Sequence, residues 1–163
     1  MTTTTTTNQA HATTTPAQRQ HAGSCHCGAV RFEVLLDEHL GGSRCNCSIC
    51  TKLGMTGVIA RPAALALIAG EDSLSWYEWG GKTARRFFCK HCGVHCFARG
   101  HLVEVGGDYV SVNLNAVDDL DVGELSIVYW DGRHNNWYAG TRPTPWPITA
   151  APAPAAASGP ATS

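Results

Sequence analysis

The chain has 163 residues, of which 12 are basic and 13 acidic, and a formal net charge of −1, so it offers no net positive field for nucleic acid or an anionic membrane surface. At 44% hydrophobic and 15% charged residues its composition is globular, and its length suits one domain. No apolar run is long enough to cross a bilayer, and the first residues carry neither the basic nor the apolar stretch of a secretory leader.

In chain order, the threonine-rich MTTTTTTNQAHATTTPAQRQ (1–20) has almost nothing to bury and reads as a disordered tail. Residues 21–148 should hold a single core. There AVRFEVLL (29–36) puts Val30, Phe32 and Val34 on one face and Arg31 and Glu33 on the other, the period of a half-buried strand. A helical turn is expected near Pro62 to Ala66. SWYEWGGKTARRFF (75–88) reads as two strands around the turn Gly80-Gly81-Lys82. VHCFARG, HLVEVGGDYVSVNL and LSIVYW continue as short strands, with further helical turns expected near Asp118 to Gly123 and His134 to Tyr138. The Ala/Pro-rich TAAPAPAAASGPATS (149–163) closes the chain as a second tail. The fold class is therefore mostly β, with short helical turns and no internal repeat.

Eight cysteines would make four disulfides in a secreted domain, but without a leader a reducing, cytoplasmic setting is the expectation. Clustered thiols there are more often metal ligands or redox groups. Cys25 and Cys27 form a C-x-C, Cys45, Cys47 and Cys50 a C-x-C-x-x-C, and Cys89 and Cys92 a C-x-x-C followed by Gly93. In extended chain, residues i and i+2 project to one face, so a C-x-C can aim two sulfurs at one ion. A C-x-x-C-G bends the backbone so that amides point at thiolates. The paired C-x-C motifs call for a common charge sink, and Zn²⁺ suits several thiolates.

Spacing alone does not fix how the sulfurs are shared. One division gives Cys25, Cys27, Cys89 and Cys92 to a closed structural site and leaves Cys45, Cys47 and Cys50 around a second ion. Three protein ligands and an open position are the usual form of catalytic zinc.

CHCGAVRFEV, CNCSIC, FCKHCGVHCF and YWDGRHNNWYAGTRPTPWPI together resemble the family of glutathione-dependent formaldehyde-activating enzymes and centromere protein V, from about Ser24 to Ile148. The resemblance implies a small single-domain β-tent zinc fold with two Zn²⁺ per chain. It also implies a structural zinc on Cys25, Cys27, Cys89 and Cys92, and a catalytic zinc on Cys45, Cys47 and Cys50. The implied activity is that of a carbon–sulfur lyase or synthase acting on a thiol–aldehyde adduct such as S-(hydroxymethyl)glutathione, with a small thiol and an aldehyde as partners. The centromere-protein branch keeps a second class open, a non-catalytic zinc-stabilised binding module. Oligomeric state is left open.

Outside that pattern, Cys96 reads as a core thiol, the competing reading being a fourth thiolate that closes the second site or a redox partner to it. His26, His91 and His95 sit in or beside the metal loops. His134, in DGRHNNW beside Asp131, Arg133, Asn135 and Trp137, could act as acid or base, although a surface histidine in a polar turn is the plainer reading. Arg133, Arg142, Lys52 and Arg61 are the cations available to the carboxylates of glutathione. The five tryptophans could line a pocket but are more readily read as core. Neither a phosphate-cradling glycine loop nor a dinucleotide fingerprint is present.

Overall fold

The computed structural model describes residues 17–149; the assigned tails over 1–16 and from residue 150 onward lie outside that range. Ten strands form two sheets. The smaller sheet runs β1 (Gln18–Ser24), β2 (Arg31–Asp37), β5 (Leu65–Ala69), antiparallel throughout. The larger has seven strands, in the order β10 (Ile127–Trp130), β3 (Gly42–Cys45), β4 (Gly57–Ala60), β9 (Gly107–Asn113), β8 (His95–Leu102), β7 (Ala84–Cys89) and β6 (Leu74–Tyr77). All its pairings are antiparallel except β10 with β3, which brings Trp130 beside Cys45.

Alternation in β2 works as the sequence implies. Phe32, Val34 and Leu36 are buried while Arg31, Leu35 and Asp37 are exposed. They meet Phe97, Val110 and Val112 from the larger sheet and Leu114 from the turn that follows β9. Phe32 stands edge-on to Phe97 at 5.9 Å between ring centroids, and Phe87 packs on Phe97 from the neighbouring strand at 5.2 Å. That aromatic junction, rather than any helix, joins the two sheets.

Three elements depart from the sequence reading. The first strand begins at Gln18, inside the stretch assigned to the tail. QRQHAGS is polar because only His21 and Gly23 turn inward. A Cβ at Gly23 would overlap the Phe32 ring and stand 2.8 Å from the Ala116 carbonyl, so only glycine fits there. The helical turn near Pro62 is shorter than expected, Pro62–Ala64, because Leu65 is already buried in β5. The one α-helix among the described residues, α1 (Ser48–Leu53), lies in the middle cysteine cluster, where no turn was anticipated. No helix among the described residues is long and apolar enough to cross a membrane.

His95, the first residue of β8, is 5% exposed, and both its ring nitrogens are buried without a hydrogen-bond partner. Burial, reinforced by the Arg86 charge, holds its imidazole down to about 4. The folded protein thus keeps the ring neutral, while the unfolded chain protonates it near the usual ~6.5. Stability is intact above that value and falls as pH drops from there toward 4. Between pH 7 and pH 5 the wild type should lose about 2 kcal/mol of unfolding free energy that a His95→Phe variant keeps, as read by urea titration of both chains.

Candidate metal centres

Four sulfurs converge where the two sheets meet. Cys25 and Cys27 follow β1, Cys89 ends β7, and Cys92 lies in the turn leading to β8. Matching backbone bonds close both turns, Cys25 N–H to the Val30 carbonyl and Cys89 N–H to the Val94 carbonyl, each at 3.0 Å. Gly28 and Gly93 complete them at φ of +73° and +74°, a region that side chains rarely adopt. Cys25 and Cys27 sulfurs are 3.5 Å apart, Cys27 and Cys89 sulfurs 3.7 Å, and all four lie within 4.8 Å of one another. A zinc–sulfur tetrahedron with bonds of ~2.3 Å has edges of about 3.8 Å. The four sulfurs therefore fit such an ion.

Their protonation is uneven. Burial pushes the Cys25 thiol up, but the Val30 amide and bonds to Cys27 and Cys89 bring it below its ordinary value. Cys92 is lowered to about 6, chiefly by backbone hydrogen bonds. The Ala29 amide alone would lower Cys27, yet sharing a proton with its sulfur neighbours carries it up to about 11. This is a set of thiols competing for too few charges, which a cation would convert to thiolates together.

Three more sulfurs gather at one end of the larger sheet. Cys45 ends β3, Cys47 is the N-cap of α1, and Cys50 lies within that helix. The Cys47 amide donates to the Cys45 sulfur at 3.4 Å, and the three sulfurs lie within 4.8 Å of one another. Hydrogen bonds from the Cys45 and Cys50 thiols, then from the Cys50 and Ile49 amides, hold Cys47 down to about 2, while Cys45 and Cys50 are raised by the same sharing. The three thiols titrate as one coupled set, in which the first proton leaves readily and the last is held. Among the described residues no fourth histidine, cysteine or carboxylate joins this group.

The loop after β10 closes over these sulfurs. A Cβ at Gly132 would stand 2.5 Å from the Cys45 sulfur, 2.8 Å from the Trp137 ring and 3.1 Å from Cys47 Cβ, so the backbone approaches as closely as glycine permits. Asn46, between the two cysteines, fastens the loop. Its Nδ2 donates to Asp131 Oδ1 at 2.7 Å and its Oδ1 accepts from the Arg133 amide at 2.8 Å. Asp131 is 3% exposed, and its Oδ1 also meets His134 Nδ1 at 2.8 Å. Burial would raise this carboxyl, but the bonds from Asn46, His134 and Asn136 outweigh it and hold it below the usual carboxylate range.

The remaining candidates separate cleanly. Cys96 belongs to neither sulfur group and is fully buried, with burial pushing its thiol up to about 12. His26 is exposed, His91 contacts Ser73 Oγ at 3.3 Å, and His95 lies in β8; none joins a sulfur group. Arg61 donates to the Gly106 carbonyl, and Arg142 to the carbonyls of Thr144 and Pro145 while stacking on Trp146. Lys52, in the last turn of α1, and Arg133, on the closing loop, are exposed beside the three sulfurs. No tryptophan belongs to the core cluster. Trp130 instead packs on the half-exposed Trp137 at 6.1 Å, flanking the Gly132 loop. Two surface hollows of about 380 and 520 Å³ meet at Tyr109, and neither is lined by a cysteine.

A family model described as glutathione-dependent formaldehyde-activating enzyme matches residues 20–131. A Penicillium rubens protein named provisionally for that activity is 35% identical over 94 residues, which is 52% of this chain and 48% of its own length. A Halomonas elongata protein with the same provisional name is 40% identical over 78 residues, 43% of this chain and 50% of its own. The chain spans about half the length of the curated relatives it matches. A crystal structure of a Rhodobacter sphaeroides protein superposes with a TM-score of 0.57 at 31% identity, over 65% of this chain and 98% of that one.

Because Gly132 touches both Cys45 and Cys47, Gly132→Ala should lift the loop and weaken metal binding by the three-sulfur group about tenfold or more. Binding by the four-sulfur group should be unchanged. Competition titration of each site with a chromophoric chelator checks this.

Proposed function

The chain belongs to the glutathione-dependent formaldehyde-activating enzyme family, and from that premise we propose that it is a zinc-dependent carbon–sulfur lyase or synthase. It makes or breaks the bond between a thiol sulfur and a small aldehyde carbon, S-(hydroxymethyl)glutathione being the model adduct. The observation that carries this reading is the unequal count of the two sulfur groups. Cys25, Cys27, Cys89 and Cys92 supply a full tetrahedral set, whereas Cys45, Cys47 and Cys50 supply three sulfurs under a loop that contributes no fourth ligand among the described residues.

In this reading the four-sulfur group holds a structural zinc and the three-sulfur group a catalytic one. Zinc held by three sulfurs supplies a cationic centre that favours the thiolate form of an incoming thiol at neutral pH. Three thiolates against one divalent ion leave the group at about −1, which suits retention of a nucleophilic sulfur better than polarisation of a carbonyl. The protein's own residues do the rest. Exposed Lys52, on the helix that carries Cys50, and Arg133, on the closing loop, are the cations proposed to receive the carboxylates of a glutathione-like thiol. Trp137 and Trp130 form the apolar wall beside them. Asn46 and Gly132 hold the closing loop against the sulfurs.

Replacing one sulfur in each group distinguishes their roles. Cys47→Ser should stay folded, fall from about two zinc ions per chain to about one, and lose turnover of formaldehyde with glutathione. Cys27→Ser should compromise folding itself, since structural zinc in small domains contributes ~10–16 kcal/mol. Zinc analysis, circular dichroism and adduct formation measured on the same preparations check all three expectations. Full turnover by Cys47→Ser would sink the enzymatic reading.

A further inference from the structure

Resting on that reading, we propose that His134 is the proton-carrying group of the reaction and that Asp131 is its positioning residue. The three-sulfur site supplies a place for sulfur, but the reaction also moves a proton. Joining a thiol to an aldehyde forms a carbon–sulfur bond, opens the carbonyl π bond onto oxygen, and transfers one proton from sulfur to that oxygen. No oxidant, reductant or further reactant enters, and cleavage runs the same movements backwards. A group able to take and return a proton beside the sulfurs completes the balance.

His134 is built for that position. Asp131 follows directly on the strand that pairs with Cys45, and its buried carboxylate meets His134 Nδ1 at 2.8 Å. An ionised carboxylate only accepts, so Nδ1 carries the hydrogen, and in the neutral ring the lone pair sits on Nε2. The same carboxylate oxygen accepts from Asn46, whose neighbours are Cys45 and Cys47, and Asn46 also accepts from the Arg133 amide next to the histidine. Gly132 stands against the Cys45 sulfur two positions earlier. The imidazole is thus anchored to the backbone that carries the sulfurs, and its side chain is 33% exposed, open to a small reactant. The carboxylate that holds the ring is itself buried and fastened by an asparagine from between two cysteines.

In the synthetic direction Nε2 takes the proton that the thiol gives up on becoming thiolate, then delivers it to the alkoxide oxygen formed when that sulfur attacks the carbonyl carbon. In the lytic direction Nε2 takes the hydroxyl proton and returns it to the departing sulfur. Asp131 touches no reactant and acts by fixing the tautomer and ring orientation.

The test uses the full zinc-loaded chain. His134→Gln should lower kcat by about 10²- to 10⁴-fold with KM within about twofold and zinc content unchanged. Added imidazole should restore part of the activity of His134→Ala. Independently of turnover, nitrogen-15 spectra should show His134 in the Nδ1–H form, and Asp131→Asn should lose that tautomer preference together with kcat. If His134→Gln keeps kcat within about threefold while Cys47→Ser is dead, the proton role is wrong and the zinc reading stands. A wild-type ring carrying its hydrogen on Nε2 overturns the positioning by Asp131. A zinc-loaded wild type with no thiol–aldehyde turnover overturns both proposals.

Discussion

Seven sulfur atoms brought within 4.8 Å of their group partners impose the condition that the rest of this structure answers. Thiolates that close repel, and thiols that close bond only weakly to one another, so each group needs either shared protons or a shared cation. The shifts described above show the cost of sharing protons. Within each group some thiols are forced down and others up, although all are chemically alike. The two groups are placed where a common ion would serve the fold differently. One ties the β1–β2 turn to the β7–β8 turn and so cross-links the sheets, close to the packing of Phe32 on Phe97. The other stands at the end of a short parallel pair, β10 and β3, under a loop that side-chain hydrogen bonds hold in place.

Much of the fold was legible where burial imposes a period. The alternation in β2 and the turn between β6 and β7 follow from one-sided packing and from Gly80-Gly81-Lys82, with Lys82 at a positive φ of 52°. Legibility fails where something other than burial makes the strand. β1 has two inward residues, one of them glycine, and exists because β2 offers it a partner along its whole length, from Gln18 opposite Asp37 to Ser24 opposite Arg31. The helix α1 has no buried residue and no side-chain cap. Its N-cap, Cys47, and its Cys50 are themselves two of the three sulfur residues, so the helix belongs to the sulfur site and has no apolar stripe to betray it.

The site divides the same way. Cysteine spacing announces the C-x-C and C-x-x-C turns, which are local geometry, but not how their sulfurs divide into two groups, which only the family resemblance implies. Asn46 and Gly132 carried no such signal. Asn46 looks like the filler of a C-x-C, and its partner Arg133 is 87 positions away; only the parallel pairing of β10 with β3 brings them together. Tryptophan was misjudged for a related reason. A two-sheet core filled by phenylalanine and valine leaves no room for indoles, so Trp130 and Trp137 are displaced to the rim of the sulfur site.

That displacement bears on how one small domain separates stability from chemistry. The four-sulfur group is built on turns between antiparallel neighbours, each closed by a 3.0 Å backbone bond and a left-handed glycine, so backbone geometry aims its ligands. The three-sulfur group draws on a strand end and a one-and-a-half-turn helix, covered by a loop held through side chains. Rigid backbone geometry suits an ion that must never leave its four ligands. Under the proposed function, a cover held by an asparagine, an aspartate and the close approach of a glycine suits a site that would admit and release reactants. It can yield at a few hydrogen bonds while the sheets beneath it stay packed.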